Sequence, residues 1–281
     1  VPDTDLVTVY AAYKGRFETN KDSMVTGQSR TAWGTPALVD SLDNYLSDTA
    51  VAALYPDLAA GADGKRQMLG TTLSVGATLN MMQDRKLSQD GLSVRLQADW
   101  GPYALNSALD GEADWYGVSV NAVAGKTLYS LYDGDRHIVS VTLVDRANIS
   151  WLDGDKVPTY AQSPASLGRK MRGYNELTYN TQFAAVNNLD LRVAGPEPLV
   201  SGIFPRINFF FDMGYAAGES FNTDAPAPDP AFLASAGVQA TVSFFDFIDL
   251  GYQLAYLFTG ENYVQGASKR LIGSFTFFLD F

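Results

Sequence analysis

Few side chains in this sequence could carry covalent chemistry. His137 is the only histidine and there is no cysteine. Any Ser–His or Asp–His arrangement would have to use His137, and thiol catalysis, disulfide staples and thiolate zinc sites are excluded. His137 follows Tyr132-Asp133-Gly134-Asp135, a turn signal, and His137-Ile138-Val139 supplies no serine two residues away. A histidine flanking a turn is most simply a solvated one. G-x-S-x-G, P-loop, EF-hand and H-E-x-x-H patterns are missing. The reading is therefore not an enzyme, with no metal and no cofactor. What remains is ion-pair chemistry. Met171-Arg172-Gly173-Tyr174 holds an arginine beside a glycine, Asn188-Leu189-Asp190-Leu191-Arg192 spaces its polar residues by two, and Phe210-Phe211-Asp212-Met213-Gly214 holds one carboxylate. An arginine fork and a carboxylate make a charge-assisted bidentate pair wherever the fold lets them meet.

Strands must position those residues. Asn188, Asp190 and Arg192 alternate with Leu189, Leu191 and Val193; Asn208, Phe210, Asp212 and Gly214 alternate with Phe209, Phe211, Met213 and Tyr215. A strand has period two, so each has one polar and one apolar face. Charges on one side and hydrocarbon on the other suit the wall of a membrane barrel with a wet interior. The closing segment has the same alternation, with Leu271, Gly273, Phe275, Phe277, Leu279 and Phe281 on one face and Ile272, Ser274, Thr276, Phe278 and Asp280 on the other. An ordinary sandwich strand is the competing reading.

Strands are expected near 6–17, 66–81, 91–104, 112–130, 136–151, 182–194 and 203–217. Two more, around 238–244 and 250–258, flank a tight turn at 245–249, and the last covers 270–281. The total of about ten is an even number, as bacterial barrels require. With the C-terminus on the periplasmic side, the turns at 132–135 and 245–249 face inward and are short. The stretches 18–65, 152–181 and 217–232 then face outward and are long, as outer-membrane barrels arrange them. Asp224-Ala225-Pro226-Ala227-Pro228-Asp229-Pro230 is expected to be extended and solvated. Within 18–65, Gly34-Thr35-Pro36 reads as a helix start, followed by Leu38, Leu42, Tyr45, Leu46, Ala50, Ala53 and Leu54 at helical spacing, with Pro56 ending the run. Tyr10, Tyr13, Trp100, Tyr103, Trp115, Tyr116, Trp151, Tyr215 and Tyr252 fall near strand ends, as interfacial aromatic girdles do.

Composition bounds the rest. The chain has 281 residues, 46% hydrophobic and 18% charged, with a net charge of -11 and a sequence pI near 4.5. A polyanion would be repelled, which argues against nucleic acid as a partner. No window approaches the roughly 18 apolar residues that a membrane helix needs. Val1-Pro2-Asp3-Thr4-Asp5 does not resemble a signal peptide, so the chain is taken as mature or trimmed. The reading is one barrel domain over 1–281.

Three motifs in order resemble one family. Met171-Arg172-Gly173-Tyr174 is similar to the (V/I)RG(F/Y) signature of the BamA/TpsB superfamily of outer-membrane barrels, the bacterial surface antigen type. Asn188-x-Asp190-x-Arg192 is similar to the segment that follows it there. Phe210-x-Asp212-x-Gly214 matches that family's F-x-D-x-G strand motif, and a terminal phenylalanine after alternation, here Phe275, Phe277, Leu279 and Phe281, resembles its closing strand. The resemblance covers 165–281 well and 1–160 in general character. It implies an antiparallel transmembrane β-barrel; the strands read from this sequence give about 10–12, against a family norm of sixteen. It implies too that the 152–181 loop folds into the lumen and that Arg172 pairs with Asp212 on the wall. Family members carry POTRA domains ahead of the barrel, and none is read within this chain.

The function this implies is assistance to the insertion, assembly or translocation of outer-membrane proteins, through a weak seam between the first and last strands. The implied location is the bacterial outer membrane. The implied partners are its lipid, unfolded outer-membrane clients and periplasmic or surface subunits. Two alternatives stand beside it: a barrel that anchors or scaffolds an absent soluble domain or partner complex, and a passive pore. Arg95, Asp99, Asp190, Arg192 and Asp212 carry both signs of charge, so a pore would show no clear ion preference.

Overall fold

The computed structural model describes residues 6–20, 39–41, 44–45, 66–85, 88–109, 113–134, 136–155, 157–162, 167, 170–174, 181–196, 203–220, 231–244, 248–259 and 270–279. Among these, ten long strands form one antiparallel sheet in chain order. They are β1 (Val7–Asn20), β2 (Arg66–Asn80), β3 (Ser88–Gly101), β4 (Asp114–Asp133) and β5 (Arg136–Asp155). β6 (Thr181–Ala194), β7 (Ile203–Ser220), β8 (Ala231–Phe244), β9 (Ile248–Leu257) and β10 (Leu271–Leu279) follow. A three-residue strand, Gln83–Arg85, pairs at the edge of β3.

Each expected strand is present, several of them longer than the alternation alone gave. β4 runs to residue 133, where Asp133 opposite Arg136 closes the hairpin, and β5 runs on to residue 155, which pairs with Asp114. Gly134, at φ +59°, takes the left-handed conformation that so tight a connection demands. The strand ends joined by residues 81–87, 134–135, 195–202 and 245–247 share one end of the sheet, and those joined by the longer stretches 21–65, 102–113, 156–180, 221–230 and 258–270 share the other.

The expected helix is not seen where its span is described. Val39–Ser41 and Asn44–Tyr45 instead form a small antiparallel pair, with Val39 opposite Tyr45. This backbone pairing stands where the apolar spacing predicted a helix. The rest of that call, and the proline-rich stretch, lie outside the described residues. A short helix not foreseen from the sequence, α1 (Tyr103–Asn106), leads into a 3₁₀ turn at Ser107–Leu109. Its buried Asn106 donates to the carbonyls of Gly101 and Ala113 and accepts from the Thr71 amide, pinning this connection to β2.

The two faces of the sheet differ in kind. One carries exposed large apolar side chains on every strand, among them Val9, Val75, Leu96, Val118, Ile149, Leu189, Phe209, Val238, Tyr252 and Phe275. The other carries Arg95, Asp99, Arg146, Asp190, Arg192 and Asp212 and the buried core of Leu167, Met171, Tyr174, Val186, Leu233 and Leu257. Tyr10 and Trp115, expected among the girdle aromatics, belong to this polar face. Tyr10 donates to Gln97 at 2.7 Å and accepts from Arg95, while Trp115 packs with Ala113, Leu152, Val157 and Ala161. Strand parity explains both, since Tyr10 lies one residue out of phase with Val9 and Trp115 with Tyr116.

The sheet curls toward its polar face. Residues 170–174 touch β5, β6, β7, β8 and the β9 end at once, strands that a flat sheet would spread over about 19 Å. Likewise Arg192 on β6 bonds Gln89 on β3 at 2.9 Å. The ladder has two ends: β1 pairs only with β2 and β10 only with β9 among the described residues.

Candidate functional site

The site is built where the connection between β5 and β6 lies against the polar face. Strand register does the positioning. Asp190 on β6 stands between Val144 of β5 and Phe210 of β7, and Asp212 stands opposite Asn188. Period two then points Asn188, Asp190, Arg192, Phe210, Asp212 and Gly214 to the same face.

Arg172 is bolted to this wall. Its backbone N–H and Nε both donate to Asp212 Oδ2, at 2.8 and 2.9 Å. Nη2 reaches Asp212 Oδ1 at 2.5 Å, and Nη1 reaches Asp190 Oδ1 at 2.5 Å. Asp212 is fully buried, so three donors from one residue replace its water. The guanidinium also lies 4.0 Å over the Phe210 ring, a cation–π contact. Burial works against the arginine's charge, but the bonds and the attraction of Asp212, then Asp190, hold its pKa above the ordinary value.

Asp190 is the hub of a second set of bonds. Its Oδ2 accepts from Arg146 at 2.7 Å and from Arg192 at 3.3 Å, while Oδ1 faces Arg172. Three arginines around one carboxylate would repel each other without Asp212 to balance the second charge. Asn188 donates to the Lys170 carbonyl at 3.0 Å, and Lys170 donates to Asn148. Burial pushes the Lys170 ammonium pKa down to about 8.

Glycines make the fit. Gly173 has φ +90°, and a Cβ there would come within 2.7 Å of Leu257 Cδ2. A Cβ on Gly214 would stand 2.2 Å from Met171 Sδ, so the last glycine of F-x-D-x-G is the seat of the methionine before Arg172. Tyr174 is fully buried and its hydroxyl meets the carbonyls of Ala234, at 2.8 Å, and Thr259. Ser235 donates to the Arg172 carbonyl at 2.6 Å.

The structure thus brings together Met171, Arg172, Gly173, Tyr174, Asn188, Asp190, Arg192, Phe210, Asp212 and Gly214. The closing-strand residues stand apart from this site. Phe275 and Phe277 are 70% and 53% exposed on the apolar face, Leu279 ends β10, and Phe281 lies outside the described residues. Residues not singled out from the sequence also belong to the site. Arg146 follows Thr142 and Val144 at period two, so its face was readable. Gly237, which gives the Phe210 ring room at a would-be Cβ distance of 2.6 Å, depends on register, which no local pattern reveals. His137 pairs with Tyr132 in the β4–β5 ladder, at the short-connection end and away from this site.

The arrangement holds the 170–174 segment against β5, β6, β7 and β8. A scan of protein-family models and a search of curated proteins find no match to this chain.

Proposed function

We propose that the chain is a BamA-type barrel of the bacterial outer membrane that assists insertion, assembly or translocation of other outer-membrane proteins. The observation that carries this reading is the pair of edges, β1 and β10, left unpaired among the described residues at the two ends of a curled ten-strand sheet. An edge strand is a row of unused N–H and C=O groups. An incoming client strand can take up those groups by β-augmentation, which is the chemistry of a weak seam.

Two further observations support the setting. Monomeric proteins in water rarely expose apolar patches beyond a few hundred Å², whereas here all ten strands expose them on one face. Short connections at one end and long ones at the other are what outer-membrane barrels have. The bolt made by Arg172, Asp212 and Asp190 matches in kind the pairing that the resemblance implies, and its role is to keep the β5–β6 connection inside the lumen. A lumen occupied by that segment conducts poorly, which counts against a passive pore.

Mechanistically, the bolt braces β6–β9 as one rigid wall, so that distortion falls on the strands at the seam. Curling with an unclosed seam also perturbs nearby lipid. The test is client folding. The chain is placed in liposomes, and a small urea-denatured barrel protein is followed by its gel mobility shift. Acceleration over empty liposomes, abolished by crosslinking cysteines placed in β1 and β10, is the expected result. No acceleration by a folded chain would overturn the insertase reading and leave an anchor or scaffold.

A further inference from the structure

The apolar face of the sheet is interrupted at one place. Lys126 on β4, Asp145 on β5 and Asn187 on β6 point to that face, the same side as Val118, Ile149 and Leu189. They form a diagonal row. Lys126 pairs across to Leu143, Asp145 is two residues further along β5, and Asn187 is one step beyond, opposite Ala147. The register row through Lys126 is otherwise Leu143, Leu191, Phe209 and Val238, so the interruption falls inside the apolar band.

The row is incompletely satisfied within the chain. Asn187 donates to Asp145 Oδ1 at 2.6 Å. Among the described residues the Lys126 side chain has no hydrogen-bond or ion-pair partner, and the Asp145 side chain has none beyond Asn187. A lysine facing lipid is costly, and ionisable groups in membranes are held where a partner meets them. Around the row the side chains are small: Ala122, Ala124, Ala147 and Ala185 share its face. Small residues let two walls approach closely in lipid.

We propose that this patch is where two copies of the chain meet in the membrane, an inference that rests on the membrane-barrel reading. The occupant follows from charge. A cation and an anion lie side by side on one patch without pairing, and a two-fold axis between them sets each Lys126 against the other copy's Asp145. That is self-complementarity of the isologous kind. The free N–H of Asn187 and the alanines complete the contact. β1 and β10 lie on other strands, so this contact leaves the seam open.

The absence of cysteine makes the test clean. Ala124→Cys lies beside the proposed axis, and Val238→Cys lies on the same face four strands away. Each variant is folded into lipid vesicles, checked for a heat-modifiable gel shift and then oxidised. The expected result is a covalent dimer for Ala124→Cys and none for Val238→Cys. In the Ala124→Cys background, Lys126→Glu or Asp145→Lys alone lowers the dimer yield about tenfold, since like charges then face each other. The double exchange Lys126→Glu/Asp145→Lys restores it. Equal yields for the two cysteine positions, or no restoration by the double exchange, overturns the proposal. A chain that folds in vesicles but stays monomeric sinks only the dimer. A chain that fails to enter vesicles, yet dimerises through Ala124→Cys in water, sinks the membrane reading and leaves the interface.

Discussion

Asp212 is fully buried and takes its donors from a single residue, the backbone N–H, Nε and Nη2 of Arg172. Truncating the side chain leaves a buried carboxylate with only the backbone N–H of residue 172 as donor. Arg172→Ala is therefore expected to cost about 3–5 kcal/mol of stability. Arg172→Ala/Asp212→Ala should cost less than the two single changes added together, because the second change removes the stranded charge. Denaturant midpoints of the folded gel form check both statements. The Met171–Gly214 seat makes a steric prediction at the same scale. Gly214→Ala drives a methyl group against Met171 Sδ, 2.2 Å from the built Cβ position, and overpacking of this kind costs about 1–3 kcal/mol. Met171→Ala/Gly214→Ala should recover part of that loss; a double variant weaker than both singles would contradict the seat. Lys170 adds a pH signature. Its folded pKa, about 8, lies below the ordinary 10.5, so the unfolded chain binds more protons between those values. Its contribution to stability accordingly rises as pH goes from about 8 to 10.5, and its full cost is felt below 8. The stability difference between Lys170→Gln and the parent chain should shift steadily in the parent's favour across that window, and a pH-independent difference would contradict the burial.

At the scale of elements, strands were legible because their period is short and local. Leu189, Leu191 and Val193 against Asn188, Asp190 and Arg192 give β6 its two faces without any knowledge of neighbours. The pairing of Arg172 with Asp212 was legible only through the resemblance, and the share of Asp190 in it was not legible. Nor was register. That Phe210 faces Gly237, or that Arg146 and Arg192 both reach Asp190, depends on how strands slide past each other, and that is settled by cross-strand packing. Val39–Ser41 and Asn44–Tyr45 show the opposite failure, since helical spacing read along the chain lost to a strand pairing. Tyr10 was misjudged because nearness to a strand end was weighed above parity. Asn106 carries no sequence signal beyond its type, and its importance lies in closing three backbone bonds at the end of β3.

The whole molecule is arranged inside out relative to a protein folded in water, with ion pairs buried on the curled face and aromatic and branched side chains exposed on the other. That arrangement is the central claim, and three tryptophans report on it directly. Trp100 and Trp151 are 52% and 37% exposed on the apolar face, whereas Trp115 is 4% exposed on the polar face. The decisive measurement is fluorescence quenching of variants that keep one of these tryptophans, folded into vesicles containing brominated acyl chains. The account predicts strong quenching of Trp100 and Trp151 and little quenching of Trp115. Equal quenching of all three, or quenching confined to Trp115, would contradict it.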